Sequence, residues 1–110
     1  MSLAAVDALN GSPGQNGQIE ILLLRKQYTK VFMRPEQKHQ RAHFHVEYKQ
    51  EYKASYAVDD LSLLAGYIPR KYETPIIEWA RKFKSKLQET WDWLVAGKDV
   101  RELVIELAGG

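Results

Sequence analysis

His43-Phe44-His45-Val46-Glu47-Tyr48 alternates along its whole length. In an extended chain, successive side chains point to opposite sides. Phe44, Val46 and Tyr48 therefore share one side, fit for a core, and His43, His45 and Glu47 share the other. The next run, Tyr52-Lys53-Ala54-Ser55-Tyr56, alternates too, and the two runs constrain how they pair. Directly opposed residues of an antiparallel pair lie on one face. A two-residue loop at Lys49-Gln50 would set Val46 against Lys53 and mix the faces. A three-residue loop, Lys49-Gln50-Glu51, sets Tyr48 against Tyr52, Val46 against Ala54 and Phe44 against Tyr56. On the other side it sets Glu47 against Lys53 and His45 against Ser55. That register separates apolar from polar throughout and is the one predicted. The loop lacks the glycine that such turns favour.

Upstream, Ile19-Glu20-Ile21-Leu22-Leu23-Leu24 reads as a buried first strand, and Tyr28 to Met33 alternates as a second. The short link Lys26-Gln27 makes these two a hairpin. Arg34 to Arg41 is polar, contains Pro35, and reads as a loop carrying His39. Downstream, Asp59-Asp60 signals a turn. Leu61-Ser62-Leu63-Leu64 reads as a short added strand, and Gly66 and Pro69 close the sheet region.

Thr74-Pro75 places a side-chain oxygen at an N-cap and proline at the first helical position. Ile76, Ala80, Phe83, Leu87, Trp91 and Leu94 then step by three and four, which predicts one helix over residues 74–96. Trp79 flanks this stripe. Trp93 lies off it, as a flank of the core or, if exposed, as a contact surface. Gly97 stops the helix with Lys98 beside it. Glu102 to Leu107 alternates and reads as a last strand at a sheet edge. Residues 1–17, ending in Asn10-Gly11-Ser12-Pro13-Gly14-Gln15-Asn16-Gly17, read as a disordered tail before a single domain, 18–110. The fold class is α+β: an antiparallel sheet of two hairpins plus a C-terminal strand, packed on one long helix.

The chain has 110 residues, 45% hydrophobic and 27% charged, which suits one globular domain. It has no cysteine, so disulfide frameworks, thiolate metal sites and cysteine nucleophiles are excluded. No apolar run reaches the roughly 18 residues of a membrane span. Met1-Ser2-Leu3-Ala4-Ala5-Val6-Asp7 lacks the basic start and apolar stretch of a secretory signal. A cytoplasmic location is expected. The net charge is only +2, but residues 25–53 hold eight Lys/Arg against three Glu, and residues 70–86 six against two. These runs point to a basic patch or to an ordinary solvated coat.

His39, His43 and His45 are all three histidines of the chain. Imidazoles side by side on a strand, with His39 or Glu47 as third ligand, are a donor set for a divalent ion such as zinc or manganese. The same groups without metal, His43, His45 and Glu47, serve as acid and base in a small hydrolase or ribonuclease. Arg41 or Lys53 would then stabilise phosphate charge. The bland reading makes the histidines surface or interface residues. Arg81, Lys82, Lys84 and Lys86 read as the wet face of a helix or as a contact for RNA or an acidic partner.

The order of motifs resembles the bacterial family called domain of unknown function 4160. It is carried by His39, His43-Phe44-His45-Val46-Glu47-Tyr48, Ile68-Pro69-Arg70, Glu78-Trp79-Ala80, Leu87 to Trp91 and Gly97-Lys98. The chain departs from the family pattern at Lys38, where an aspartate is usual, and at Arg41-Ala42, where prolines are usual. The resemblance implies a small prokaryotic cytosolic protein, often encoded beside another short protein in an arrangement like a toxin–antitoxin pair. Two functions follow: an interaction protein of such a two-gene module, acting by protein or RNA contact, and a small hydrolase or ribonuclease built on the His-x-His strand.

Overall fold

The computed structural model describes residues 20–34 and 41–109. Among these residues, five strands form one antiparallel sheet in sequence order: β1 (Ile21–Lys26), β2 (Thr29–Met33), β3 (His43–Tyr48), β4 (Tyr52–Ala57) and β5 (Leu63–Tyr67). Three helices follow: α1 (Arg70–Lys82), α2 (Lys84–Val95) and α3 (Arg101–Ala108). The expected tail, residues 1–17, and His39 lie outside the described residues.

The predicted register of the β3–β4 hairpin holds at every pair: Tyr48 opposes Tyr52, Glu47 opposes Lys53, Val46 opposes Ala54, His45 opposes Ser55 and Phe44 opposes Tyr56. Without a glycine, the loop puts Lys49 (φ 57°) and Gln50 (φ 59°) in the left-handed region. The β1–β2 turn does the same with Gln27 (φ 45°). Phe44, Val46, Ala54 and Tyr56 join Val31 and Met33 in a core closed by Ile76, Trp79, Ala80, Leu87 and Trp91 of the helices.

Three sequence expectations need correction. The sheet is a five-stranded meander, because the added strand runs on to Tyr67 rather than stopping before Gly66. Gly66 (φ 81°) lies within β5, where a Cβ would run into the Lys53 carbonyl oxygen. The single helix over 74–96 is two. It starts at Arg70, because Tyr72 stacks on Tyr48 (centroids 4.2 Å apart) and Glu73 accepts the Tyr56 hydroxyl (2.7 Å), holding an earlier turn against the sheet. Thr74 is thus interior, and its hydroxyl donates to the Arg70 carbonyl. The helix breaks at Phe83 (φ −107°, ψ 22°).

The last strand is a helix. Leu103, Val104 and Leu107 are buried while Ile105 is 67% exposed. Burial at i, i+1 and i+4 is a helical face; a strand would have put Leu103, Ile105 and Leu107 together. The missed start signal is Asp99, whose carboxylate accepts the Arg101 N–H (3.0 Å). As predicted, Gly97 (φ 75°) ends α2: its N–H bonds the Leu94 carbonyl, and the Lys98 N–H reaches Trp93. No helix of the described residues is long and apolar enough to cross a membrane.

Candidate functional site

Cross-strand partners share a face, so the register writes out the sheet surface turned away from the main core, here called the back face. One row is Leu22, Phe32, His45, Ser55 and Ala65; the next is Arg25, Lys30, Glu47, Lys53 and Tyr67. His45 stacks on the buried Phe32, with ring centroids 5.2 Å apart and planes at 17°. Lys30 Nζ lies 4.7 Å and Arg34 Cζ 5.2 Å from the centre of the same Phe32 ring. Glu20 accepts hydrogen bonds from both cations, at 2.8 Å and 3.2 Å. Burial pushes its carboxyl up, but the bonds from Lys30 and Arg34 outweigh this and hold it below the usual carboxylate range.

His43 is buried at the start of β3. Its ring lies 4.9 Å from Trp91 of α2 and 5.0 Å from His45, edge to face at 76°. Its Nδ1 is 2.7 Å from the Arg41 carbonyl oxygen, an acceptor only, so Nδ1 carries the proton and donates it. The two imidazoles are therefore neighbours, as expected, but crossed rather than side by side. Among the described residues no group of three or more His, Asp or Glu is placed to hold a metal ion.

The basic residues divide. Arg41 Nη2 binds Asp59 at 2.6 Å and Asp60 at 3.1 Å, and the Asp59 bond holds its guanidinium above the usual pKa. That fork ties the entry of β3 to the turn after β4, so its charge is already matched. Lys53 is exposed and flanks Glu47 across the ladder, with Lys30 on the other side. A groove of about 280 Å3 opens here, lined by Phe32, Arg34, His45, Glu47, Lys53 and Ser55. Lys86 pairs with Glu106 at 2.5 Å and Glu89 at 3.6 Å. Arg81, Lys82 and Lys84 sit at the α1–α2 junction.

Residues 29–92 match the family model described as Domain of unknown function (DUF4160). The chain belongs to the DUF4160 family. The matched stretch runs from the start of β2 into α2, taking in the histidine row, Lys53 and all of β5. Comparison with curated proteins and with solved structures gives no match.

One feature of this DUF4160 chain escapes the sequence pattern because it depends on strand order. β5 is an outer strand and is exposed at all five residues, with Leu63 49%, Leu64 42% and Tyr67 63% exposed. Nothing in Leu63-Leu64-Ala65-Gly66-Tyr67 is charged, whereas Asp59-Asp60 precede it and Arg70-Lys71 follow it. An uncharged run between an acidic and a basic end was the available signal. The Glu20–Lys30–Arg34 cluster over Phe32 was likewise legible only once the β1–β2 register placed these residues together.

Proposed function

We propose that this DUF4160 protein works by contact, as an interaction protein that takes up a strand of another polypeptide along β5. The supporting observation is the exposure of that strand, with Leu63, Leu64 and Tyr67 open to solvent. An outer strand offers a row of N–H and C=O groups to an incoming chain. Natural edges are commonly blunted by lysine, proline or a bulge; β5 carries neither lysine nor proline, and its one irregularity lies at Leu64, where the pairing with β4 shifts. In the two-gene arrangement that the family resemblance implies, such an edge suits one half of a paired, toxin–antitoxin-like module. Protein contact is favoured over RNA because β5 is uncharged and apolar, whereas Lys86 is already paired within the chain.

The test is chemical crosslinking of the full chain in cells. Intermolecular links should concentrate at Lys53 and Lys71, which flank β5, and should fall several-fold in the Leu64→Lys variant, whose lysine blunts the edge. Links spread evenly over the surface, or unchanged by the substitution, would refute the contact reading.

A second reading keeps the back-face groove as a hydrolase or ribonuclease site. It draws on the ladder that sets His45, Glu47, Lys53 and Ser55 around one depression. His43 is packed on Trp91 and Arg41 is bound to two aspartates, so the reacting groups reduce to His45 as base and Lys53 as charge stabiliser. RNA cleavage that is lost in His45→Ala with the melting profile unchanged would establish it. Its absence at every pH from about 5 to about 8, the range in which an ordinary imidazole changes charge, would dismiss it.

A further inference from the structure

We infer that the chain seated on β5 is a second copy of this protein, paired antiparallel about a two-fold axis at Ala65. This rests on the reading of β5 as the contact edge and takes its occupant to be a second copy of this chain rather than a protein encoded beside it. The strand is smallest at its middle, Ala65 and Gly66, and bears no charge. Turned about Ala65, the shift in register at Leu64 sets Leu63 and Leu64 together against the Gly66 of the other copy, which has no side chain to oppose them. No charge within the strand opposes its like. The flanks add direction. The same rotation sends the exposed Asp59-Asp60 end of one strand towards the exposed Arg70-Lys71 end of the other, twice over by symmetry. Arg41 matches one of the two acids, so each acidic end keeps a net negative charge to meet two cations. A parallel self-pair would instead put acid against acid and base against base.

Pairing of this kind joins two five-stranded sheets into one of ten strands. It covers Leu63, Leu64 and Tyr67, which are otherwise among the most exposed large apolar residues described. Both copies use the same patch, as a closed dimer requires. The contact is small, so the affinity belongs to the weak, micromolar class.

Substitution at the axis supplies the test, because residue 65 is the one position that meets itself. Ala65 is exposed, and its replacement by lysine or glutamate places like charges directly opposite in a self-pair. The wild-type chain should sediment as a concentration-dependent dimer between about 1 µM and about 1 mM. Ala65→Lys alone and Ala65→Glu alone should each weaken that dimer by about tenfold or more. An equimolar mixture of the two should restore it, as a mixed dimer visible by native mass spectrometry. Circular dichroism of each variant checks that the fold persists. A wild-type chain that stays monomeric over the whole range, or single variants that dimerise like wild type, would overturn the inference. If the chain is monomeric but the crosslinks of the full chain in cells still converge on Lys53 and Lys71 from a different polypeptide, the edge reading survives and only the self-pair falls.

Discussion

β1 and β5 are the two outer strands of one sheet, and their exposures are opposite. Ile21, Leu22, Leu23 and Leu24 of β1 are all buried, and α3 lies against that strand with Leu103, Val104 and Leu107 turned inward. Every residue of β5 is exposed. A sheet must manage both its edges. Here the C-terminal helix manages one, and the other is left as a strand without charge. A helix misread as a strand is therefore more than an error of element type. As a strand, residues 102–107 would have become a new outer edge with its own unpaired N–H and C=O groups; as α3 they lie against β1 and add no edge.

The largest expected effect lies at the covered edge. Leu23→Ala, in a residue with no exposure, should cost about 2–5 kcal/mol in urea unfolding, whereas Leu64→Ala should change the stability of the dilute monomer by no more than about 0.5 kcal/mol. Equal costs would erase the distinction between the edges. Next is Gly66→Ala, which combines a left-handed φ with a clash on the Lys53 carbonyl; it should destabilise by about 1–3 kcal/mol. Gly97→Ala meets only open space and should cost less, about 1 kcal/mol, on the same urea curve.

A smaller, opposite effect is expected at Gln27, on the closed side of the sheet. Its φ of 45° strains any residue with a Cβ, so Gln27→Gly should stabilise by about 0.5 kcal/mol in thermal unfolding, after the entropy lost by glycine is counted. The smallest concerns acid. Asp60, beside β5, accepts hydrogen bonds from the Ser62 side chain and backbone, which lower its pKa from 3.8 to about 2. Its folded pKa is depressed, so its contribution is present above pH about 4 and fades as the pH falls towards 2. The stability difference between wild type and Asp60→Asn should shrink over that window and stay constant above it. A difference that grows towards acid would contradict this.

The central hairpin was legible because alternation leaves one register that sorts both faces, and a slip of one residue would bury Glu47 and Lys53. The helix boundaries were not, because distant contacts override local signals. The Tyr48–Tyr72 stack and the Tyr56–Glu73 bond hold a helical turn ahead of Thr74-Pro75, where the local signal alone would start the helix. The segment Glu102–Leu107 fits both periods over so short a span, and only the burial of Val104 beside Leu103 decides between them. The histidine row was legible as a row. What each imidazole touches was not, since Trp91 lies 48 residues on from His43 and Phe32 belongs to another strand. Arg41 shows the same limit: its basic character was plain, but its fork onto Asp59 and Asp60 required the turn that brings them near.

Amide hydrogen exchange, followed residue by residue at low and high protein concentration, compares the two edges in a single experiment. If β5 is the open edge that pairs with a second copy, its outward amides exchange fast when dilute and become protected as concentration rises. Ile21 to Leu24 stay protected throughout. Protection of Leu63 to Tyr67 that is already high in the dilute protein, or that never responds to concentration while β1 does, would contradict it.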